Sequence, residues 1–187
     1  MLERSSGILL PISSLPSRYG IGTLGKEAFN FVDFLHSCKQ RYWQLLPMGP
    51  VSYGDSPYAP FSVFAGNPYY IDLEALTGEK ILTQEDCEIL DLYDECVDYG
   101  KQFNYRYEIL HKAFVNSKKK YRYEIDEFVL KNQWVCDYSI FMALKYYNNQ
   151  RPWYEWEEKI VERDREEIEK YRHILKEEIE FWTFLQY

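Results

Sequence analysis

The chain has 187 residues, and 22 Lys and Arg against 30 Asp and Glu leave a formal charge of −8. This length allows one ordinary domain with an apolar core, and 46% hydrophobic and 18% aromatic residues argue against intrinsic disorder. The acidic balance argues against a general nucleic-acid binder, because phosphate binding depends on clustered Lys and Arg. No run of about 18 uncharged apolar residues is present, so we expect no membrane span.

The first elements predicted along the chain form a strand–helix–strand unit. Residues 6–12 are a short apolar run stopped by a loop rich in Ser and Pro, and residues 42–47 are a second run ended by Pro and Gly. Between them, residues 26–39 carry apolar side chains at helical spacing. The two strands of such a unit are parallel, with a right-handed crossover. Because neither run alternates polar with apolar residues, we expect both strands to be buried on both faces.

The chain changes character near residue 75. Residues 1–75 hold most of the Gly and Pro, whereas residues 76–187 are charged, rich in Tyr and helix-favouring. The predicted helices of the second part cover about 101–115, 122–147 and 156–187. The apolar stripe of the last helix reaches Tyr187 without a capping Gly or Asn, so we expect the chain to end inside a helix. Two parallel strands cannot make a covered sheet, and the sequence therefore predicts an incomplete α/β fold, the front part of a larger protein.

The loop after the second strand is the candidate binding site. In folds with parallel strands, ligands bind at the loops that follow the carboxyl ends of the strands. Two such loops are present, residues 13–20 and residues 50–61. The second combines Pro residues, which stiffen the backbone, with three aromatic residues. Its tyrosines either form a platform for a sugar ring, with polar groups bonding the ring's edges, or pack the loop onto the fold. The residues that would contact the sugar are Tyr53, Asp55, Ser56 and Tyr58.

The chain offers no complete catalytic or cofactor motif. Glycoside chemistry needs two carboxyls about 5 Å apart in retaining enzymes, or about 6.5–9.5 Å in inverting ones. Asp55 is the only carboxylate on a candidate loop, and Asp72 is expected to cap the helix that follows it. We therefore expect no catalytic residue and no cofactor in this chain. We also expect no metal site, because the four cysteines lack the short paired spacings of zinc sites. These cysteines are Cys38, Cys87, Cys96 and Cys136.

Ordered motifs along the chain resemble those of one enzyme family. Residues 6–22 (SGILLPISSLPSRYGIG), 42–58 (YWQLLPMGPVSYGDSPY) and 64–69 (FAGNPY) are followed by VDYG at 97–100 and by shorter matches up to 178–187. They resemble the amylomaltases, the 4-α-glucanotransferases of glycoside hydrolase family 77. The resemblance spans nearly the whole chain.

The resemblance implies a cytoplasmic enzyme on a (β/α)8 TIM barrel that needs no cofactor. Such enzymes cut an α-1,4-glucan, hold the donor part on an Asp and pass it to the 4-hydroxyl of another glucan, with a Glu as acid/base. Their catalytic carboxylates lie beyond the point that matches Tyr187. Residues 1–75 would then be the first βαβ part of the barrel, and residues 76–187 a mainly helical insertion after the second strand whose last helix leads back to the barrel. The expected partners are α-1,4-glucans (maltodextrin, glycogen or starch-derived), with neither nucleic acid nor membrane.

The resemblance also assigns roles to single residues. Tyr58 matches a tyrosine that stacks near the cleavage-site sugar, and Ser56 matches a serine that hydrogen-bonds there. Tyr53 matches an aromatic residue of a second, remote glucan site, and Phe103 lies where some members place another. Two other functions remain open: a non-catalytic glucan-binding module, and a helical interaction protein whose aromatic residues form its core.

Overall fold

The computed structural model describes residues 4–52, 54–90 and 96–187. The chain divides into two compact units, residues 1–116 and residues 117–187. The sequence predicts a boundary at 75/76 between the barrel part and the insertion. This boundary is not the one between the two compact units, and it stays a prediction. Within the described ranges, no helix has the length and apolar character needed to cross a membrane.

The first unit begins with the predicted strand–helix–strand arrangement. Strand β1 (Gly7–Leu9) pairs in parallel with β2 (Tyr42–Gln44), and helix α1 (Lys26–Ser37) connects them. The register places Gly7 opposite Tyr42. A Cβ on Gly7 would lie 2.5 Å from the Tyr42 carbonyl oxygen, so the close approach of the strands requires glycine there.

The expectation that both strands are buried on both faces is wrong. All three residues of β1 are exposed, and only Trp43 in the middle of β2 is partly buried. The physical reason is that the described residues contain only these two strands, each of three residues, so one face and both edges lack a covering element. Apolar runs of this kind are typical of strands with other elements packed on both faces, and this chain does not supply elements for both faces.

The core of the first unit lies between the loop after β1 and the segment that precedes residue 72. Its buried side chains are Ile12, Leu15, Ile21, Ala28, Tyr69 and Tyr70. Helix α2 (Leu73–Gly78) starts at Asp72, whose carboxylate accepts from the Glu74 N–H as predicted. Helix α3 (Gln84–Cys87) starts with a capping box, in which Thr83 and Asp86 each accept from the other's backbone N–H.

The predicted helix at 101–115 contains a π-helical turn. Helix α4 (Tyr99–Lys101) continues through the π-helical segment Gln102–Arg106 into helix α5 (Tyr107–Ser117). Residues four apart lie on the same face of a helix, and both Gln102 and Arg106 are buried. The Gln102 amide donates to the Tyr19 carbonyl at 2.7 Å, and the Arg106 guanidinium donates to the Ile71 carbonyl and, at 3.2 Å, to Gln102 Oε1. These bonds tie the helix to two loops of the unit.

The second unit is helical throughout. Its helices are α6 (Arg122–Lys131), α7 (Trp134–Tyr147), α8 (Glu158–Val161), α9 (Arg165–Ile174) and α10 (Lys176–Gln186). Helices α7 and α10 pack together, with the Thr183 hydroxyl donating to Ser139 Oγ at 2.9 Å and Trp182 buried edge-to-face against Tyr138. The predicted apolar stripe is therefore correct at Trp182.

The long helices predicted at 122–147 and 156–187 are interrupted. Asn132 leaves helical geometry at φ −130°, and its amide donates to the Phe128 carbonyl, which ends α6. Arg163 adopts a φ of 58°, and the carboxylate of Asp164 then accepts from the Glu167 N–H to begin α9. Polar side chains that satisfy helix ends are the reason, because an apolar stripe does not reveal a short break.

Candidate functional site

The loop that follows β2 is closed at its base. The Asn67 N–H donates to the Met48 carbonyl at 2.9 Å, so the two ends of the loop lie side by side. Gly49 packs against Pro60, and a Cβ on this glycine would lie 2.8 Å from the Pro60 Cβ. The Asn67 side chain also accepts from the Tyr69 N–H, which continues into the buried core. The loop is thus anchored at the carboxyl end of the strand, where ligand sites lie in parallel sheets.

The tip of this loop is a set of tight turns. Gly54 and Asp55 have φ values of 87° and 54°, and the Asp55 N–H donates to the Ser52 carbonyl at 3.0 Å. Ser56 Oγ accepts from the Tyr58 N–H at 3.3 Å. The Tyr58 side chain is 72% exposed, so within this chain its ring does not pack inward. An outward ring beside a serine hydroxyl and a carboxylate can stack on a sugar and bond its edge.

The structure places the predicted site residues unevenly. Asp55, Ser56 and Tyr58 lie together on the tip of the loop, and Tyr53 lies outside the described residues. Phe103 lies on the π-helical segment, half exposed, with its ring edge-on to Tyr107 at 6.2 Å. In the part of the chain that the structure describes, no hydrogen bond or ring contact links Phe103 to the loop tip.

A cleft of about 790 Å³ lies at the loop after β1. Its lining combines serine hydroxyls with apolar surface, and the residues that matter most are Ser13, Ser14, Pro16, Ser17, Cys96 and Tyr99. Sequence reasoning identified this loop by its place after a strand but chose none of its residues as site residues. The available signals were that position and the VDYG motif at 97–100, which brings Tyr99 to the same cleft.

The electrostatics around this cleft are those of neutral polar groups. Burial raises the pKa of the Tyr70 phenol, the nearby Tyr99 raises it further, and a side-chain hydrogen bond with Ser13 opposes both. No Asp, Glu, Lys, Arg or His lies among the described lining residues. Over the described ranges, no group of three His, Cys, Asp or Glu side chains is placed to hold a metal ion.

The described residues of the two loops offer hydroxyl, aromatic and backbone groups that can bind a polar ligand. In parallel α/β folds, ligands bind at the loops that follow the carboxyl ends of the strands, and both of these loops have that position. Residues 10–187 match the family model of glycoside hydrolase family 77, described as 4-alpha-glucanotransferase. The chain belongs to this family.

Individual relatives agree with the family match. The chain is 48% identical over 179 residues to a 4-alpha-glucanotransferase of Clostridium butyricum, covering 94% of this chain and 37% of that protein. It is 40% identical over 191 residues to one of Thermus thermophilus, covering 100% of this chain and 38% of that protein. It also superposes on the amylomaltase of Streptococcus agalactiae in complex with acarbose, with a TM-score of 0.93, 38% identity, 99% of this chain and 38% of that one. The chain thus spans a little over a third of the length of these relatives.

Proposed function

We propose that the full-length protein carrying this chain is a 4-α-glucanotransferase. It transfers a segment of an α-1,4-glucan to the 4-hydroxyl of an acceptor glucan or glucose by retaining double displacement. The observation that carries the proposal is the family match over residues 10–187. In this proposal the chain is the first part of a (β/α)8 barrel with a helical insertion after β2, and the enzyme works in the cytoplasm without a cofactor.

The role that we assign to this chain is to hold the glucan. The exposed Tyr58 ring stacks on the apolar face of a sugar, while Ser56 and Asp55 bond its hydroxyl groups. Tyr53 and Phe103 serve a more remote part of the glucan. The catalytic carboxylates lie outside this chain. The match to an amylomaltase in complex with acarbose supports a sugar-type ligand for the full-length protein.

Glucan binding by aromatic rings matters for the outcome of the reaction. In a double displacement, the glycosyl-enzyme intermediate is released either to water or to the acceptor sugar. A stacked ring orients the acceptor and removes water from its face, and contributes about 0.5–1.5 kcal/mol beyond the buried area. Tyr58 therefore favours transfer over hydrolysis.

Incubation of the full-length protein with maltotriose tests the proposal. Release of glucose together with longer maltodextrins is expected. Tyr58→Ala should lower kcat/KM for transfer roughly tenfold, since about 1.4 kcal/mol of lost binding is tenfold. Tyr58→Phe keeps the ring and should retain most of the activity. The matched control is Tyr123→Ala, which removes an exposed tyrosine of α6 in the second unit and should change nothing.

Two results would contradict the proposal in different ways. Saturable maltodextrin binding without any transfer products would point to a glucan-binding module instead. If the protein neither binds maltodextrin nor forms transfer products, and Tyr58→Ala behaves like the parent, a function in glucan binding or transfer is excluded.

A further inference from the structure

We propose that the cleft at the loop after β1 is an additional glucan-binding site, lined by Ser14, Ser17 and Tyr99. This inference rests on the proposed function, because it names a further place, apart from the residues already assigned, where the same class of substrate binds. The cleft belongs to the loop after β1, whereas Asp55, Ser56 and Tyr58 belong to the loop after β2.

The size of the cleft suits a short oligosaccharide. Its volume of about 790 Å³ falls within the range of about 300–1,000 Å³ that is typical of small-molecule sites. It also lies at the carboxyl end of a parallel strand, the edge at which such sites are found.

The chemistry of the lining selects a neutral, hydroxyl-rich ligand. A serine hydroxyl both donates and accepts, as a sugar hydroxyl does. Ser17 Oγ accepts from the Tyr19 N–H at 3.1 Å, which leaves its own proton free to donate to a ligand. The Ser14 hydroxyl has no hydrogen-bond partner among the described residues. An ionic ligand would find no side chain of opposite charge in the described lining, since burying an unpaired charge is costly.

The aromatic side of the cleft is held in a fixed position. Tyr99 opens helix α4, where the Asp98 carboxylate accepts from the Lys101 N–H at 2.9 Å. Its ring lies 6.2 Å from that of Tyr69, a residue of the buried core. Tyr99 and Pro16 therefore present apolar surface that can cover the C–H face of a sugar ring.

The serine side of the cleft is equally well supported. The Gly22 N–H donates to the Ser13 carbonyl at 3.1 Å, and the buried Gln102 amide holds the Tyr19 carbonyl. The loop is thus fixed at both ends before any ligand arrives. A preformed site binds with a smaller loss of conformational entropy than a mobile one.

Cys96 supplies a direct probe, because its exposed thiol lines the cleft. The experiment measures the rate of iodoacetamide alkylation at Cys96 in the full-length protein by peptide mass spectrometry, with and without maltoheptaose. Cys38, an exposed thiol that follows α1, is the internal reference. Protection scales as one plus the ratio of ligand concentration to Kd, so alkylation of Cys96 should slow about fivefold at about four times Kd. Cys38 should react at an unchanged rate, and sodium phosphate should protect neither thiol.

Variants of the full-length protein distinguish binding in the cleft from binding at the loop after β2. Ser14→Trp fills the cleft from an exposed position and should abolish protection of Cys96, whereas Asn30→Trp at an exposed position of α1 should not. Protection should persist in Tyr58→Ala. Unchanged alkylation of Cys96 in a protein that transfers glucan from maltotriose would overturn the cleft while leaving the proposed function in place. A Cys96 that does not react even without maltoheptaose would also overturn it, because the cleft would then be closed. If maltoheptaose protects Cys96 in a protein that has no transfer activity, the glucan site in the cleft is supported and the proposed transferase function is contradicted.

Discussion

Replacement of Arg106 by methionine tests whether the π-helical segment holds the first unit together. Arg106 is 0% exposed, and burial lowers its pKa to about 10. Its guanidinium donates to the Ile71 carbonyl and to Gln102 Oε1. Arg106→Met keeps most of the packed stem but leaves both acceptors without this donor.

The expected loss can be worked out from these contacts. Hydrogen bonds to a charged group contribute about 1.5–3 kcal/mol each, so two of them contribute about 3–6 kcal/mol. Removal of the buried charge returns part of this, because the lowered pKa records an unfavourable environment for the cation. We expect a net loss of about 3 kcal/mol. Arg106→Lys keeps the charge without the planar fork and should lose less.

Hydrogen–deuterium exchange of the full-length protein measures this loss locally. In Arg106→Met, peptides covering residues 12–24 and 102–117 should exchange roughly a hundredfold faster, since their opening free energy falls by about 3 kcal/mol. The control is Arg122→Met, which removes an exposed arginine paired with Asp126 at 3.9 Å and should stay within about 0.5 kcal/mol. Unchanged exchange in Arg106→Met would refute the reasoning.

Three further predictions concern other parts of the chain. Gly22→Ala should destabilise the first unit by about 3 kcal/mol in urea denaturation, because the new Cβ would lie 2.0 Å from a backbone oxygen, whereas Gly78→Ala has open space and should be neutral or slightly stabilising. Hydrogen bonds from the backbone and then the side chain of Thr83 lower the pKa of Asp86, so its stabilising effect is present above the ordinary Asp pKa and is lost as the pH falls through the lowered value. The stability difference between the parent and Asp86→Asn should therefore shrink in acid, and a constant difference would contradict this. Trp182→Ala should destabilise the second unit by about 3–5 kcal/mol, measured by thermal unfolding, because the side chain is 1% exposed.

The elements of the first unit could be predicted from the sequence because their signals are local. Apolar runs bounded by Gly and Pro located β1 and β2, and helical spacing located α1 nearly to its ends. The exposure of the strands could not be predicted, because burial depends on elements that pack against them from elsewhere. Periodicity likewise found the apolar faces of α7 and α10 but missed the breaks at Asn132 and Asp164, which depend on single hydrogen bonds.

The candidate site could be predicted to a smaller extent. The loop after β2 was identified because its Gly, Pro, Tyr and Ser residues are adjacent in the chain. The cleft joins Ser14 and Ser17 to Tyr99, and no local pattern shows that segments about 80 residues apart meet. The contacts of Gln102 and Arg106 could not be predicted either, because a π-helical turn has no sequence signature that separates it from an ordinary helix.

That wider turn holds one more residue than an ordinary helical turn. Each residue of an α-helix rotates the chain by about 100°, and each residue of a π-helical segment rotates it less, so the extra residue changes the direction of the following helix very little. Deleting one residue between Gln102 and Arg106 would therefore allow regular winding with Leu110 and Phe114 still facing the core. The same deletion would change the spacing of the two side chains that bind the Tyr19 and Ile71 carbonyls, so it would act on the loop contacts and not on the packing of α5.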